Sequence, residues 1–223
     1  FNQLTLADAE AAAAACPEDA LIQSIFAERL LDRGNVSASR SCISRVLEME
    51  PNCAAAYGIA AQICIADADL EGAKSYIEQG FQLHPHARDV ISAQYCLSLV
   101  EHDVDGAAAA VDLIEGQLGL HISVLARRAV IAFSRDQGSA EAVEALVERF
   151  PGTEPALTAQ SQLSMQSGHY ERAVDEARQA TSISPTSAST WTVLATALLR
   201  TGQMAESERA AQKAVDLNPM ASN

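Results

Sequence analysis

The side chains of this 223-residue chain best suited to nucleophilic or metal chemistry are five histidines and five cysteines, and their spacing serves neither. His84-Pro85-His86 brings two imidazoles together. No cysteine, histidine or carboxylate at ligand spacing joins them, so the pair reads as a surface turn rather than a metal site. His102, Asp103 and Asp105 read as solvated groups in a turn between helices. Cys16, Cys42, Cys53, Cys64 and Cys96 form no Cys-x-x-Cys pair and are odd in number. That argues against a disulfide framework or zinc site and for small buried thiols in a reducing compartment. A reactive thiol needs a cationic neighbour, and Cys96 has only Arg88, two turns away. The phosphate-loop, His-Glu-x-x-His and Gly-x-Ser-x-Gly patterns are absent. Glu and Asp recur as solvated helix faces, with no isolated apolar pair for acid–base work. Asn35-Val36-Ser37 matches a glycosylation sequon, a pattern that arises often by chance. The sequence therefore predicts no catalytic site, no cofactor and no metal.

What the chain does carry is a period. Pro17, Pro51, Pro85, Gly119, Pro151, Pro185 and Pro219 are separated by 34, 34, 34, 32, 34 and 34 residues. Such regularity means one supersecondary unit copied along a line, each copy packing on its neighbours. Hydrophobic residues make up 48% and aromatics only 4%, the composition of closely packed Ala, Leu, Val and Ile helices rather than of a disordered chain. No run of eighteen apolar residues occurs, so direct membrane insertion is not expected. The net charge is −14, and residues 1–111 hold 16 acids against 6 bases. That field repels phosphate backbones and favours cationic partners.

Residues 185–219 set out one unit. Thr186–Ser189 offer N-cap hydroxyls, and Trp191, Leu194, Ala195 and Leu198 recur at helical spacing. Gly202 supplies a turn, and a second helix follows with Ala211, Ala214 and Val215 on its inner stripe. Two columns are small in nearly every unit. Ten residues past each mark stand Ala27, Ala61, Tyr95, Ala129, Ser161 and Ala195. Twelve before each closing mark stand Ser39, Ala73, Ala107, Ser139, Ala173 and Ser207. These positions predict close contact of paired helices. Eight before each closing mark stand the apolar Ile43, Ile77, Val111, Val143, Ala177 and Ala211. Gly34, Gly168 and Gly202 hold the turn, replaced by Ala68 and His102 in the middle units.

Every unit from Glu18 to Pro219 resembles the tetratricopeptide repeat. The best local matches are Gly168-His169-Tyr170-Glu171-Arg172-Ala173 with Pro185, and Trp191, Leu194 and Ala195 with Gly202 and Pro219. The reading gives 1–17 as the second helix of a truncated repeat, formed over roughly Leu4–Cys16. Repeats follow at 18–51, 52–85, 86–119 (degenerate), 120–151 (two residues short, near Asp136-Gln137-Gly138-Ser139), 152–185 and 186–219, with a tail at 220–223. The resemblance implies an all-α fold: antiparallel helix pairs stacked as a right-handed α-α superhelix, or solenoid. It also implies a concave groove lined by the first helices, which binds peptides or helices of partner proteins. Lining positions then fall seven, eleven and fourteen after each mark, on one helical face. They include Ser24, Glu28 and Leu31; Gly58, Gln62 and Ile65; Ser92, Cys96 and Leu99; Ala126, Val130 and Phe133; Thr158, Gln162 and Met165; Thr192, Thr196 and Leu199.

Leu31, Ile65, Leu99, Phe133, Met165 and Leu199 form an apolar ladder. Either it anchors a ligand, or it fills the interior of the hairpins. The Lys, Arg and Asn of a carboxylate clamp are missing from the lining, where Arg200, Arg127 and Arg128 are the nearby cations. The functional expectation is a non-catalytic scaffold for a neutral to basic, partly apolar peptide or protein, with no nucleic acid. A regulatory or targeting arm of a larger enzyme or transcription regulator is a second reading, motivated by the truncated first repeat, and self-association a third. Ala-rich, Arg-over-Lys usage suggests a GC-rich bacterial genome, and the thiols suggest the cytoplasm.

Overall fold

The computed structural model describes residues 5–218, so Leu4, Pro219 and the tail at 220–223 lie outside the described residues. Those residues form thirteen α-helices and no strand. They fall into two compact units, Phe1–Gln117 and Leu118–Asn223. The first holds α1 (Leu6–Ala15), α2 (Ala20–Asp32), α3 (Val36–Met49), α4 (Ala54–Ala66), α5 (Leu70–Leu83), α6 (Arg88–Val100) and nearly all of α7 (Val104–Leu118). The second holds α8 (Ile122–Arg135), α9 (Ser139–Arg149), α10 (Glu154–Gln166), α11 (Tyr170–Ile183), α12 (Ala188–Arg200) and α13 (Met204–Leu217). No helix among the described residues is long and apolar enough to cross a membrane.

In the first unit α2 pairs with α3 and α4 with α5, while α2, α4 and α6 lie side by side. In the second, α8, α10 and α12 lie side by side and pair with α9, α11 and α13. This is an all-α helical repeat fold. The paired helices touch where the two small columns meet. Ala27, Ser39, Ala61, Ala73, Ser161 and Ala173 are fully buried. Serine on one helix there reaches the main chain of the other. Ser39 donates to the Ala27 carbonyl at 2.7 Å, Ser161 to that of Ala173 at 2.8 Å, and Ser207 to that of Ala195 at 2.8 Å. A hydroxyl satisfied in this way can be buried without penalty. A longer side chain would hold the helices apart.

The prolines close the units by a different device. Pro17, Pro51, Pro85 and Pro185 each stand second in a tight turn between a second helix and the next first helix, where the fixed φ of proline is already correct. The turns close with Asp19 N–H on the Cys16 carbonyl, Cys53 on Glu50, Ala87 on His84 and Ser187 on Ser184, at 3.0–3.2 Å. Six residues past the mark, a polar side-chain tip often returns to this turn. The Tyr57 hydroxyl donates to the Pro51 carbonyl, Trp191 Nε1 to that of Pro185, and Gln23 Nε2 to that of Cys16. His84-Pro85-His86 is such a turn, with His84 Nε2 2.6 Å from the Asn52 carbonyl.

Within each hairpin the first helix ends on one left-handed residue. Gly34, Gly168 and Gly202 have φ of 70°, 77° and 76°, and Ala68, His102 and Asp136 take the same conformation at 60°, 59° and 51°. The following amide donates five residues back, as Asn35 does to Leu30 and Gln203 to Leu198. This satisfies carbonyls that the helix end leaves free.

Three expectations need correction. Ser139 does not meet α8 as its column predicts: Asp136–Gly138 has the usual three residues, and α9 begins late, with 11 residues against 14 in α11. Ser139 consequently opens that helix half-buried and bonds to Gln166 across 3.0 Å, not to α8. Ser187 is the N-cap of α12 but makes no capping bond; its hydroxyl pairs with that of Ser189. Ala211 is exposed, whereas Ile43, Ile77, Val111, Val143 and Ala177 are buried. The buried stripe of α13 is Ser207, Ala210 and Ala214, because no helix packs beyond α13 among the described residues.

The left-handed residues without glycine carry backbone strain. Ala68→Gly and His102→Gly are each expected to raise stability by about 0.5–1 kcal/mol, and Gly168→Ala to lower it by at least as much. The readout is the urea midpoint at unchanged slope.

Candidate functional groove

The first helices α2, α4 and α6 leave a groove of about 300 Å³ in the first unit. Its apolar wall is Leu21, Ile25, Ala55 and Ile59; its polar groups are Ser24, Glu28, Arg29, Gln62, Arg88 and Asp89. Leu21 is 61% exposed while Ile59 is buried, so the wall runs from solvent down to the core. The groove floor depends on Gly58. A methyl there would lie 2.6 Å from the Asp89 carbonyl carbon, so only glycine lets α6 approach α4 this closely.

The groove electrostatics centre on one guanidinium shared by two acids. Arg29 Nη1 donates to Asp32 at 2.6 Å and Nη2 to Glu28 at 3.1 Å, while its Nε is buried without an acceptor. Burial pushes the Glu28 carboxyl above its ordinary range, and Arg29 and, more weakly, Arg88 only partly offset it; Asp32 and Asp89 add repulsion. Burial likewise raises Asp32 against the pull of Arg29. The Ser24 hydroxyl is spent on the Ala20 carbonyl at 2.7 Å. Gln62 makes no hydrogen bond among the described residues, which leaves a donor and an acceptor facing the groove.

Of the expected lining, the structure brings Ser24, Glu28 and Gln62 together here. The ladder behaves differently. Each ladder carbonyl accepts the amide of the left-handed residue, from Leu31 with Gly34 to Leu199 with Gly202. Leu31, Ile65, Phe133 and Met165 are half-buried against the hydrophobic clusters of their own hairpins. Cys96 and Leu99 are half-buried, whereas Leu199 is 53% exposed. In the second unit Val130 is 40% exposed, Gln162 half-buried and Thr196 exposed, its hydroxyl donating back to the Thr192 carbonyl at 2.9 Å.

Sequence reasoning missed Leu21, Ile25, Arg29, Arg88 and Asp89, and it placed the nearby cations only at Arg127, Arg128 and Arg200. Leu21 and Ile25 stand four and eight after Pro17, one turn further along the stripe that holds Ser24 and Glu28. Extending the stripe by that turn would have found them.

A tetratricopeptide repeat family model matches residues 188–219, the α12–α13 hairpin. The α12–α13 hairpin is a tetratricopeptide repeat, and the helix pairs before it belong to the same all-α helical repeat fold. A chain of the APC/C hetero-tetramer Cut9-Hcn1 superposes with a TM-score of 0.75 at 12% identity, over 95% of this chain. This chain spans 42% of that one. A tetratricopeptide repeat protein from Parabacteroides merdae gives 0.68 at 12% identity, covering 97% of this chain and 91% of that one. PilW, a widely conserved type IV pilus biogenesis factor, gives 0.62 at 12% identity, covering 88% and 92%. Identities this low establish shared fold. No curated protein matches the sequence.

Two outcomes test how the chain uses these residues. Phe133→Ser should cost about 2 kcal/mol in urea unfolding because its ring packs in the core, whereas Leu199→Ser should stay within about 0.5 kcal/mol. The raised Glu28 carboxyl means the folded state holds a proton that the unfolded chain releases. Its contribution to stability is full below the ordinary carboxylate range and is lost as pH rises through the raised value. The stability of Glu28→Gln relative to the parent should therefore increase between about pH 4 and pH 7.

Proposed function

We propose that this chain is a non-catalytic interaction scaffold whose α2–α4–α6 groove binds an extended segment or amphipathic helix of a partner protein. The observation that carries the reading is Leu21, a large apolar side chain 61% exposed beside Ile25 and Ile59, with the uncommitted Gln62 amide next to it. Aliphatic anchors supply affinity, and an amide that can both donate and accept orients a peptide backbone. Structural neighbours fit this reading: one belongs to a hetero-tetrameric assembly and another to pilus biogenesis. No disulfide joins the five cysteines, which suits a cytoplasmic setting where thiols stay reduced.

Selection of twelve-residue peptides from a random display library on the chain tests the proposal. Peptides that bind the parent are expected to bind Leu21→Ser and Gln62→Ala about tenfold more weakly. Thermal unfolding should be unchanged for Leu21→Ser, since the side chain is mostly in water. Affinity indifferent to both substitutions would overturn the groove assignment.

A further inference from the structure

We infer that the segment received by this groove carries an arginine or lysine next to an aliphatic residue, the cation seated between Glu28 and Asp89 and the aliphatic side chain on Leu21 and Ile25. The inference rests on the groove reading above and adds the chemistry of its occupant.

Charge complementarity carries it. The groove holds two cations and two acids, with Asp32 just behind them, but the cations are not equally free. Arg29 has both terminal nitrogens committed, one to Glu28 and one to Asp32, so one positive charge serves two carboxylates. Its remaining nitrogen is buried and points at no acceptor. Arg88, exposed at the first position of α6, forms no ion pair with Glu28 or Asp89 among the described residues. Asp89 sits in the first turn of α6, where the helix dipole favours an anion, and its carboxylate takes part in no hydrogen bond or ion pair among the described residues. Glu28 contacts Arg29 through Oε2 alone, which leaves Oε1 open.

An acidic ligand could use only Arg88 without displacing a partner of Arg29, and it would face these two carboxylates. A cationic one displaces nothing. It relieves the repulsion between Glu28 and Asp89 and offers charge-assisted hydrogen bonds to the open Glu28 Oε1 and to the Asp89 carboxylate. The surrounding field acts in the same direction, because residues 1–111 hold 16 acids against 6 bases. Ile25 lies one turn and Leu21 two turns from Glu28 on the same face of α2. A cationic side chain on the carboxylates therefore brings its neighbours in sequence over apolar surface. A bare polybasic stretch would leave that surface wet, and a purely aliphatic one would leave the two acids unpaired.

The test uses the full chain and the peptides from the same unbiased selection, in fluorescence anisotropy. Peptides whose binding depends on Leu21 are expected to be enriched in Arg or Lys beside Leu, Ile or Val. Replacing that cation by glutamine should weaken binding about tenfold. Glu28→Gln and Asp89→Asn should weaken the cationic peptide and leave the glutamine peptide unaffected, a coupling that a folding defect would not produce. Asp89→Asn removes no contact in the free chain and so stands as the cleaner variant. Affinity should also fall between about 0.05 and 0.5 M salt. Leu21-dependent peptides without a cation preference, or with affinity untouched by Asp89→Asn, would overturn this inference and leave the groove assignment standing. Failure to obtain any Leu21-dependent peptide would overturn both.

Discussion

Two helices can lie close enough for a serine on one to hydrogen-bond the main chain of the other only where both present small side chains. That crossing recurs from Ala27 with Ser39 to Ala195 with Ser207, and the rest of the fold hangs on it. Once the paired helices are this near, their larger side chains are forced to the hairpin flanks. There Ile43, Val46 and Ile77 seal one unit against the next. Stability is thus spread along the chain as many short-range contacts rather than gathered in one centre. The same crossing explains a buried charge. Glu176 tolerates near-complete burial because Ser164 of the partner helix donates to it at 2.7 Å and Arg172 of its own helix at 2.8 Å.

Close pairing also determines what a hairpin can offer a ligand. Second helices are used up by packing, so the faces left over belong to first helices lying side by side. In the first unit those faces diverge enough to leave a groove, and Gly58 sets its depth by admitting the backbone of α6 against α4. The ladder residues show the opposite outcome. Their main-chain carbonyls are engaged in ending the helix, which fixes their side chains beside the turn and turns most of them inward. A side chain at the end of a helix is well placed to plug a hairpin and poorly placed to meet a ligand.

The groove is charged in an unbalanced way for a structural reason. Arg29 is largely buried, and its head is held by two acids of the same helix. Burial around Glu28 and Asp32 weakens solvation, so these groups keep a demand for positive charge that local pairing does not fill. A groove that combines such a demand with an exposed aliphatic wall is selective for ligands that answer both.

The sequence by itself determined the repeat. The 34-residue spacing of the prolines, the paired small columns and the left-handed turn positions are each demanded by local geometry, and local geometry is written in neighbouring residues. The replacement of glycine by Ala68 and His102 was legible, as was the burial of Ser39, Ala73 and Ala173. That α9 starts late while the turn before it keeps three residues was not, because a helix can lose residues at its start without altering that turn. Which first-helix residues meet in a groove was also beyond the sequence. Leu21 is far along the chain from Arg88 and Asp89, and only the packing of α2, α4 and α6 brings them to one place. The same packing decided the ladder: spacing put Phe133 and Leu199 in one column, and neighbouring helices covered the first and left the second in water.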